Sequence, residues 1–525
     1  MSIKAVTLEN FKGIGQAVRI ELKPITLLFG ANSAGKSTIL QAMLYAQEIL
    51  ERTNTDPDKT LQGGDAVDLG GFRNLVHNHD ANLKISLRFD LNLTDIDLVD
   101  YGDFPDLPEL DELSGEAMNA WVKLDVSLGS FKDSPVQVDY EVGINDFVAV
   151  SVTASDHGGS HHQVKFNSLH PWFALRDDVN DVFVQDGDTD WITIPTANLE
   201  SQRRGTSSSR GESLLDRIRN VLDAHDVDEF QELINFCLIS PGEYLRSNLK
   251  RFKYLGPIRV VPDRSYQSSK SPDESRWSTG LAAWDWINNS TLSQIEELNK
   301  WLTLETRLNT GYRVDVKRYK ELDIDSMAMS ALSHETDFID NYEMIRQEIE
   351  MLPIKTRVLL RQEKDFLDVA PQDVGIGISQ VIPVVVAALA QKDGVVAIEQ
   401  PELHIHPAIQ VALGDLFIQQ TNEVDVFKRQ FLIETHSEHL LLRILRRIRQ
   451  TNERDVPEEL QISPDRVAVY YVESSTQGTQ LKHLRINEEG RFNDRWPRGF
   501  FEERENEYFG DIGDMSEEIG RLFGQ

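Results

Sequence analysis

The sequence predicts an α/β fold in which segments from both ends of the chain form one sheet, with a β-rich and helical insertion between them. Residues 25–29 are an apolar run, followed at once by a glycine-rich turn and by residues 37–50 with apolar side chains mostly at helical spacing. The last third returns to alternation, with predicted strands at 395–398 and 430–433 and predicted helices at 407–419 and 437–450. This pattern is typical of two halves of one domain.

The middle of the chain has a different pattern. Residues 83–93, 121–128 and 136–150 alternate apolar with polar side chains, as antiparallel strands with one solvated face do. Residues 94–115 and 201–209 are expected to be loops. Apolar residues at helical spacing predict helices within 212–248, 278–308 and 335–350.

Composition excludes several classes of protein. The 54 Lys and Arg against 86 Asp and Glu leave a net charge of −32. Such a chain repels polyanions, so any nucleic-acid contact needs a local basic patch or a partner. No apolar run of about 18 residues and no signal-peptide pattern occur, so we expect a cytoplasmic protein without a membrane span. The single cysteine, Cys237, excludes an internal disulfide and a cysteine-rich zinc site.

The strongest motif is G-x-x-x-x-G-K-S, placed between a predicted strand and a predicted helix. Its glycines let backbone N–H groups converge on phosphate oxygens, and the helix N-terminus favours an anion. Lys36 would add positive charge and Ser37 a hydroxyl for Mg²⁺. The expected nucleotide-binding residues of this loop are Gly30, Ala31, Asn32, Ser33, Ala34, Gly35, Lys36, Ser37 and Thr38.

A phosphate loop of this kind works with a carboxylate at the end of a second strand, which helps to hold Mg²⁺. The apolar run 395–398 ends in Glu399. We therefore expect Ser37 and Glu399 to be the metal ligands. A glutamate rather than an aspartate at this place is a departure from the usual pattern.

Three further segments carry a family resemblance: G-I-G-I-S-Q at 375–380, E-Q-P-E-L-H-I-H-P at 399–407 and L-I-E-T-H-S at 432–437. With the phosphate loop they resemble an ABC-type ATPase head, closest to prokaryotic AAA-family ATPases related to SMC, SMC-like repair and OLD-family heads. Residues 496–502, W-P-R-G-F-F-E, are similar to the DUF3696 domain of one branch. The resemblance implies head halves at 1–80 and 366–470, an insertion at 81–365 and a DUF3696-like segment at 471–525.

The resemblance also implies roles for single residues. Gly375, Gly377, Ser379 and Gln380 match the signature segment, which in such heads caps the γ-phosphate of nucleotide bound to the other subunit. ATP would therefore close a homodimer or a higher homo-oligomer. His436 matches the switch histidine that contacts the γ-phosphate. Gln62 is a candidate for the glutamine-bearing loop of such heads.

Gln400 departs from the family pattern, because many ABC heads have there a glutamate that activates water, and an amide cannot take a proton. The expected catalytic residues are Glu399, Gln400 and His436. Three alternatives follow from this departure. In the first, Glu402 or another group activates water; in the second, Gln400 only orients the water; in the third, hydrolysis is slow and ATP acts chiefly as a clamp.

Several histidines and two clusters of arginines could suggest a metal site and a DNA-binding surface, but a simpler interpretation is favoured for both. No ligand spacing joins the histidines at 77, 79, 161, 162, 404 and 406, so a histidine metal site is disfavoured. The arginines at 443, 446, 447 and 449, and those at 203, 204 and 210, are expected to be ion-pair partners or a solvated face. DNA contact through them is the alternative.

The resemblance implies a defence role, because stand-alone heads of this kind often act against phage or plasmids with a nuclease or other effector in trans, as in Septu systems. About 75 residues follow Gln450, too few for the Toprim nuclease of OLD proteins, so we expect none in this chain. One alternative is an SMC-like ATPase that clamps DNA in repair or chromosome maintenance, although a long coiled coil is missing. Another is a nucleotide-gated scaffold with little turnover.

Overall fold

The computed structural model describes residues 3–51, 66–94, 96–102, 108–128, 136–154, 162–174, 191–194, 229–264, 266, 268–269, 273–332, 342–422, 429–476 and 478–497. Several predictions concern positions outside these ranges: Gln62, the loop 201–209, the arginines at 203, 204 and 210, and the tail from 498 onward.

A six-stranded sheet joins the two ends of the chain. Its order is β10-β14-β15-β3-β16-β17. The strands are β3 (Ile25–Gly30), β10 (Lys253–Leu255), β14 (Gly394–Glu399), β15 (Arg429–Glu434), β16 (Val467–Ser475) and β17 (Gly478–His483). Neighbours pair in parallel except β16 with β17. Because β3 lies between two C-terminal strands, the predicted α/β fold built from both ends is confirmed.

This central sheet is covered on both faces, which explains its continuous apolar runs. On β3, Leu28 packs into the core shared with helices α1 (Lys36–Leu50) and α5 (Glu229–Lys250). Leu27 and Phe29 point to the opposite core, which contains α10 (Ile376–Ala390), α11 (Pro407–Asn422) and α12 (Glu438–Glu453). Side chains of the fully buried strands β3, β14 and β15 thus alternate between two apolar layers.

An eight-stranded antiparallel sheet lies beyond α1 and α5, in the order β2-β1-β4-β5-β6-β7-β8-β9. Its strands are β1 (Ile3–Glu9), β2 (Val18–Glu21), β4 (Ile85–Asn92), β5 (Asn119–Leu128), β6 (Val136–Ile144), β7 (Phe147–Ala154), β8 (His162–Asn167) and β9 (Trp191–Ile194). The division predicted at residue 80 falls between two paired strands, β1 and β4. The N-terminal hairpin and the start of the insertion therefore share one sheet.

The run 136–150 forms an antiparallel hairpin, because Asn145 and Asp146 adopt positive φ angles of 49° and 70° and turn the chain. One sequence prediction beside this sheet needs correction. The predicted loop 94–115 includes most of helix α3 (Pro108–Glu116). Proline suits the first turn of a helix, so Pro108 begins this helix rather than preventing it.

The predicted helical region 278–308 contains two helices. Residues 278–308 form α6 (Leu281–Asn289) and α7 (Leu292–Thr303), separated where Thr291 and Gln294 make a capping box. Trp284 and Trp301 are fully buried packing anchors.

The remaining elements are short. They are α2 (Phe72–Leu75), α4 (Pro171–Ala174), α8 (Met327–Leu332), α9 (Tyr342–Met351), and a sheet of β11 (Tyr312–Tyr319), β12 (Lys355–Gln362) and β13 (Asp368–Val369). Among the described helices none has the length and apolarity to cross a membrane.

The basic face of α12 is tied in part to α11. The Arg447 guanidinium donates to both carboxylate oxygens of Asp415, at 2.7 and 2.8 Å, and Arg443 lies 3.3 Å from the same group. The Asp415 side chain is only 7 % exposed. Arg446 and Arg449, by contrast, are exposed. Two of the four arginines are therefore the internal ion-pair partners that the acidic composition favoured.

Replacing Asp415 with Ala should destabilise the protein by about 2–4 kcal/mol, because it leaves two partly buried guanidinium groups without their carboxylate. Urea unfolding checks this. Arg449→Ala, on the exposed side of the same helix, is the control and should change the unfolding free energy by no more than about 0.5 kcal/mol. Similar losses in the two variants would contradict the assignment.

Candidate nucleotide-binding site

The phosphate loop leaves the C-terminal end of β3 and enters α1, as the sequence predicts. Gly30 has a φ of 145°, and a Cβ atom there would lie 2.1 Å from the carbonyl oxygen of Val472 on β16. Only glycine therefore lets β3 turn into the loop beside its neighbour strand. Ala31, Asn32 and Ser33 are exposed, whereas Ala34 is buried. The loop thus presents its first half to solvent at the edge of the sheet.

Lys36 is held against the loop that precedes it. Its Nζ donates to the carbonyl oxygens of Gly30 at 3.0 Å and Ala31 at 2.8 Å, and lies 3.7 Å from Glu434. Burial lowers the pKa of Lys36, and the carboxylate of Glu434 acts in the opposite direction. The side chain is 3 % exposed, so water screens its charge little and the charge acts mainly on neighbouring groups.

Two carboxylates end neighbouring strands beside Lys36 and Ser37. Glu399 of β14 and Glu434 of β15 are partners in the parallel register. The Ser37 hydroxyl donates to Glu434 at 2.6 Å. The Tyr254 hydroxyl donates to Glu399 at 2.7 Å. Burial raises the pKa of Glu399 to about 7, and the negative charge of Glu434 adds to the effect.

This donor set suits a magnesium ion that arrives with phosphate. Mg²⁺ prefers oxygen ligands and usually takes one or two carboxylates, with phosphate oxygens and water completing its shell. Ser37, Glu399 and Glu434 are oxygen donors of this kind. In the part of the chain that the structure describes, no group of three or more His, Cys, Asp and Glu side chains could hold a metal by itself. The histidines at 77, 79, 404 and 406 form no metal site there.

The segment around His436 is fixed by Glu402. One carboxylate oxygen of Glu402 accepts from the Thr435 hydroxyl and the other from the His436 backbone N–H, both at 2.7 Å. The His436 Nε2 atom is buried without a hydrogen-bond partner in the described structure. Burial lowers the pKa of His436, and the charge of Lys36 acts in the same direction, so the ring is neutral at neutral pH. Glu402 thus holds the start of the switch segment in place.

Gln400 follows β14 in a left-handed backbone conformation, with φ 44°. Its N–H donates to the carbonyl oxygen of Glu434 at 2.7 Å. The turn after β14 is therefore tied to the end of β15. The structure brings Glu399, Gln400 and His436 to the same edge of the sheet as the phosphate loop.

The signature segment opens helix α10. A Cβ at Gly377 would lie 2.7 Å from the carbonyl oxygen of His404, so glycine permits close packing on the 399–407 segment. Ser379 and Gln380 are 2 % and 5 % exposed. The Ser379 hydroxyl donates to the carbonyl oxygen of Pro371, and the Gln380 amide donates to that of Arg259. Gly375 and Ile376 are the exposed residues of this segment. A role for Ser379 and Gln380 toward nucleotide on a second subunit stays a prediction.

Arg259 is a site residue that sequence reasoning did not assign. It is 2 % exposed and follows β10, the strand that the insertion adds to the central sheet. Its guanidinium donates to the carbonyl oxygens of Glu399 at 2.6 Å and Gln400 at 3.1 Å. Its backbone exchanges hydrogen bonds with the Gln380 side chain. Arg259 therefore connects the signature helix to the turn after β14.

Tyr254 and Glu434 were also without an assigned role. Glu434 could have been found by the pattern that identified Glu399, since it too is an acid at the end of a predicted apolar strand. For Tyr254 the only signal was the segment Y-L-G-P-I-R at 254–259, which also resembles the DUF3696 branch.

Replacing Arg259 with Met should cost about 1–3 kcal/mol of unfolding free energy, because the buried carbonyl oxygen of Glu399 and the partly buried one of Gln400 lose their donor. Thermal and urea unfolding measure the loss. Arg264→Met is a matched control nearby, since the Arg264 side chain is 75 % exposed, and its effect should stay within about 0.5 kcal/mol. An Arg259→Met protein as stable as the control would show that these hydrogen bonds contribute little.

Comparison with protein families places ATPase domains on both parts of this site. Residues 246–443 match the family described as "AAA domain, putative AbiEii toxin, Type IV TA system". Residues 1–132 match the family "AAA ATPase domain", and residues 462–509 match "Protein of unknown function (DUF3696)". The first match includes Glu399 and His436, and the second includes the phosphate loop. The predicted resemblance to AAA-family ATPases with a DUF3696 segment is confirmed.

Among solved structures, SMC head domains are similar to this chain. They include an SMC head bound to the C-winged helix domain of ScpA (11 % identity, TM-score 0.40, 93 % of this chain and 99 % of that one). Another is the SMC head domain from Thermotoga maritima (9 % identity, TM-score 0.36, 93 % of this chain and 100 % of that one). A third is the Pyrococcus furiosus SMC head with an extended coiled coil, bound to the C-terminal domain of ScpA (11 % identity, TM-score 0.38, 92 % of this chain and 96 % of that one). These TM-scores are too low for residue roles to be transferred. No curated protein matches the chain.

Proposed function

We propose that this chain, which carries AAA-type ATPase domains and a DUF3696 segment, binds Mg-ATP and hydrolyses it slowly to control a partner effector. One observation carries the proposal. Lys36 and Ser37 of a phosphate loop lie beside two buried carboxylates, Glu399 and Glu434, at the ends of neighbouring parallel strands. This combination of an anion-binding loop and acidic oxygen donors fits a nucleotide with its magnesium ion.

Each residue has a distinct task in this proposal. Lys36 would exchange the carbonyl oxygens of Gly30 and Ala31 for phosphate oxygens. Ser37 and Glu399 would hold Mg²⁺, which on binding offsets phosphate charge. The neutral His436 ring has an unpartnered Nε2 that could contact the γ-phosphate. Gln400 would orient the attacking water without taking its proton, so we expect turnover to be slow.

The wider role follows from the family and not from the site alone. ATP would close a homodimer or higher homo-oligomer, with the segment that contains Gly375, Gly377, Ser379 and Gln380 facing nucleotide on the partner copy. The effector would be a separate protein, such as a nuclease, in anti-phage or anti-plasmid defence. The toxin named in the description of one matching family supports a role in such a system. DNA would be contacted through the complex.

An SMC-like ATPase that clamps DNA is the second candidate. It would use the exposed Arg446 and Arg449 of α12, which Asp415 does not neutralise. Salt-dependent DNA binding by the isolated chain, lost when both arginines are replaced with Glu, would favour this function.

ATP hydrolysis should fall at least about tenfold in Lys36→Ala and in Glu399→Gln, which corresponds to about 1.4 kcal/mol or more of transition-state stabilisation. Phosphate release measures the rate, and light scattering measures mass with and without ATP. Lys250→Ala, a 71 % exposed lysine of α5, is the control. A wild-type rate no higher than that of Lys36→Ala would leave only a nucleotide-gated scaffold. Failure to bind ATP would overturn the proposal.

Gln400→Glu should raise turnover by about tenfold or more, since a carboxylate at this position can take the proton that an amide cannot. Gln400→Ala should lower the rate if the amide orients water. Single-turnover hydrolysis separates this effect from product release. An unchanged rate in both variants would mean that another group activates water.

A further inference from the structure

The geometry points to Glu434 as a second carboxylate of the cation site, which binds the divalent ion of the nucleotide together with Ser37 and Glu399. The inference rests on the proposed function and makes it more specific. An ordinary phosphate loop relies on one carboxylate at the end of a second strand. Here a second one ends the strand that lies between β14 and β3.

The position of Ser37 supplies the first argument. The hydroxyl of this loop residue is a magnesium ligand in phosphate-loop proteins. Its Oγ donates to Oε2 of Glu434 at 2.6 Å, so a cation bound to this hydroxyl lies next to the Glu434 carboxylate.

The parallel register supplies the second argument. Glu399 and Glu434 are paired residues on adjacent strands, which lie about 4.8 Å apart in a sheet. The hydrogen bond from the Gln400 N–H to the Glu434 carbonyl oxygen fixes the two strand ends together. Both carboxylates can therefore reach one ion near Ser37.

Charge supplies the third argument. The Glu434 side chain is 6 % exposed, and Lys36 is the cation beside it, at 3.7 Å. In the proposed function Lys36 turns toward the phosphates. The buried Glu434 carboxylate would then lose its ion-pair partner, which is unfavourable at a site shielded from water. A divalent cation held by Ser37, Glu399 and Glu434 would offset this cost, so cation and nucleotide should bind cooperatively.

The test measures Mn²⁺ binding to the full chain in the presence of a non-hydrolysable ATP analogue, from the electron paramagnetic resonance signal of free Mn²⁺. This readout does not depend on turnover. Glu434→Gln should weaken Mn²⁺ binding by about 10- to 100-fold, and Glu434→Asp, which keeps the charge, by less. Glu51→Gln is the control: it removes a carboxylate that pairs with Arg246 at the C-terminal end of α1, away from the phosphate loop. It should bind Mn²⁺ like the wild type.

Other results would overturn the assignment. If Glu434→Gln binds the analogue and Mn²⁺ normally, Glu434 is not part of the cation site. If it binds Mn²⁺ normally but hydrolyses ATP more slowly, Glu434 acts on the attacking water instead. A wild-type chain that does not bind the analogue would overturn the proposed function and this inference with it. Unchanged thermal unfolding of the variants separates a local effect from loss of the fold.

Discussion

The parallel pairing of β3 with β15 on one side and β16 on the other determines where everything else in the site lies. It places the end of β3, and hence Lys36 and Ser37, beside the end of β15 with Glu434. The pairing of β15 with β14 then brings Glu399 into the same edge. A slip by one residue would turn each side chain to the other face of the sheet, so the apolar layers on both faces fix this register.

Most of the fold could be predicted because its elements have strong local patterns. The run Ile25–Gly30, the helix Lys36–Leu50 and the strands before Glu399 and Glu434 are all apparent in the apolar spacing. Two features were not predicted, a turn that depends on backbone conformation and a strand that depends on a partner distant in the sequence. The Asn145–Asp146 turn interrupts an alternation that continues on both sides, and β10 has only three residues, so its place in the central sheet depends on β14.

The candidate site shows the same division. Lys36 and Ser37 belong to a contiguous motif, and Glu399 to an apolar strand that ends in an acid, so both were predictable. Glu434 has the same local pattern as Glu399, but the importance of Arg259 comes from neighbours far away in the sequence. Arg259 donates to carbonyl oxygens about 140 residues further along the chain. Spacing in one sequence cannot show such contacts, because they exist only after the strands pair.

The central position of β3 also has a consequence for biosynthesis. β3 ends at Gly30, and its neighbours begin at Arg429 and Val467, so about 400 residues must be made before either can pair with it. At about 5–20 residues per second, a ribosome needs about 20–80 s for this stretch. During that time both edges of a strand that is fully buried in the folded protein are open to aggregation. The nascent chain is therefore expected to need a holding chaperone on its first strands, and a truncated product ending before β15 should aggregate.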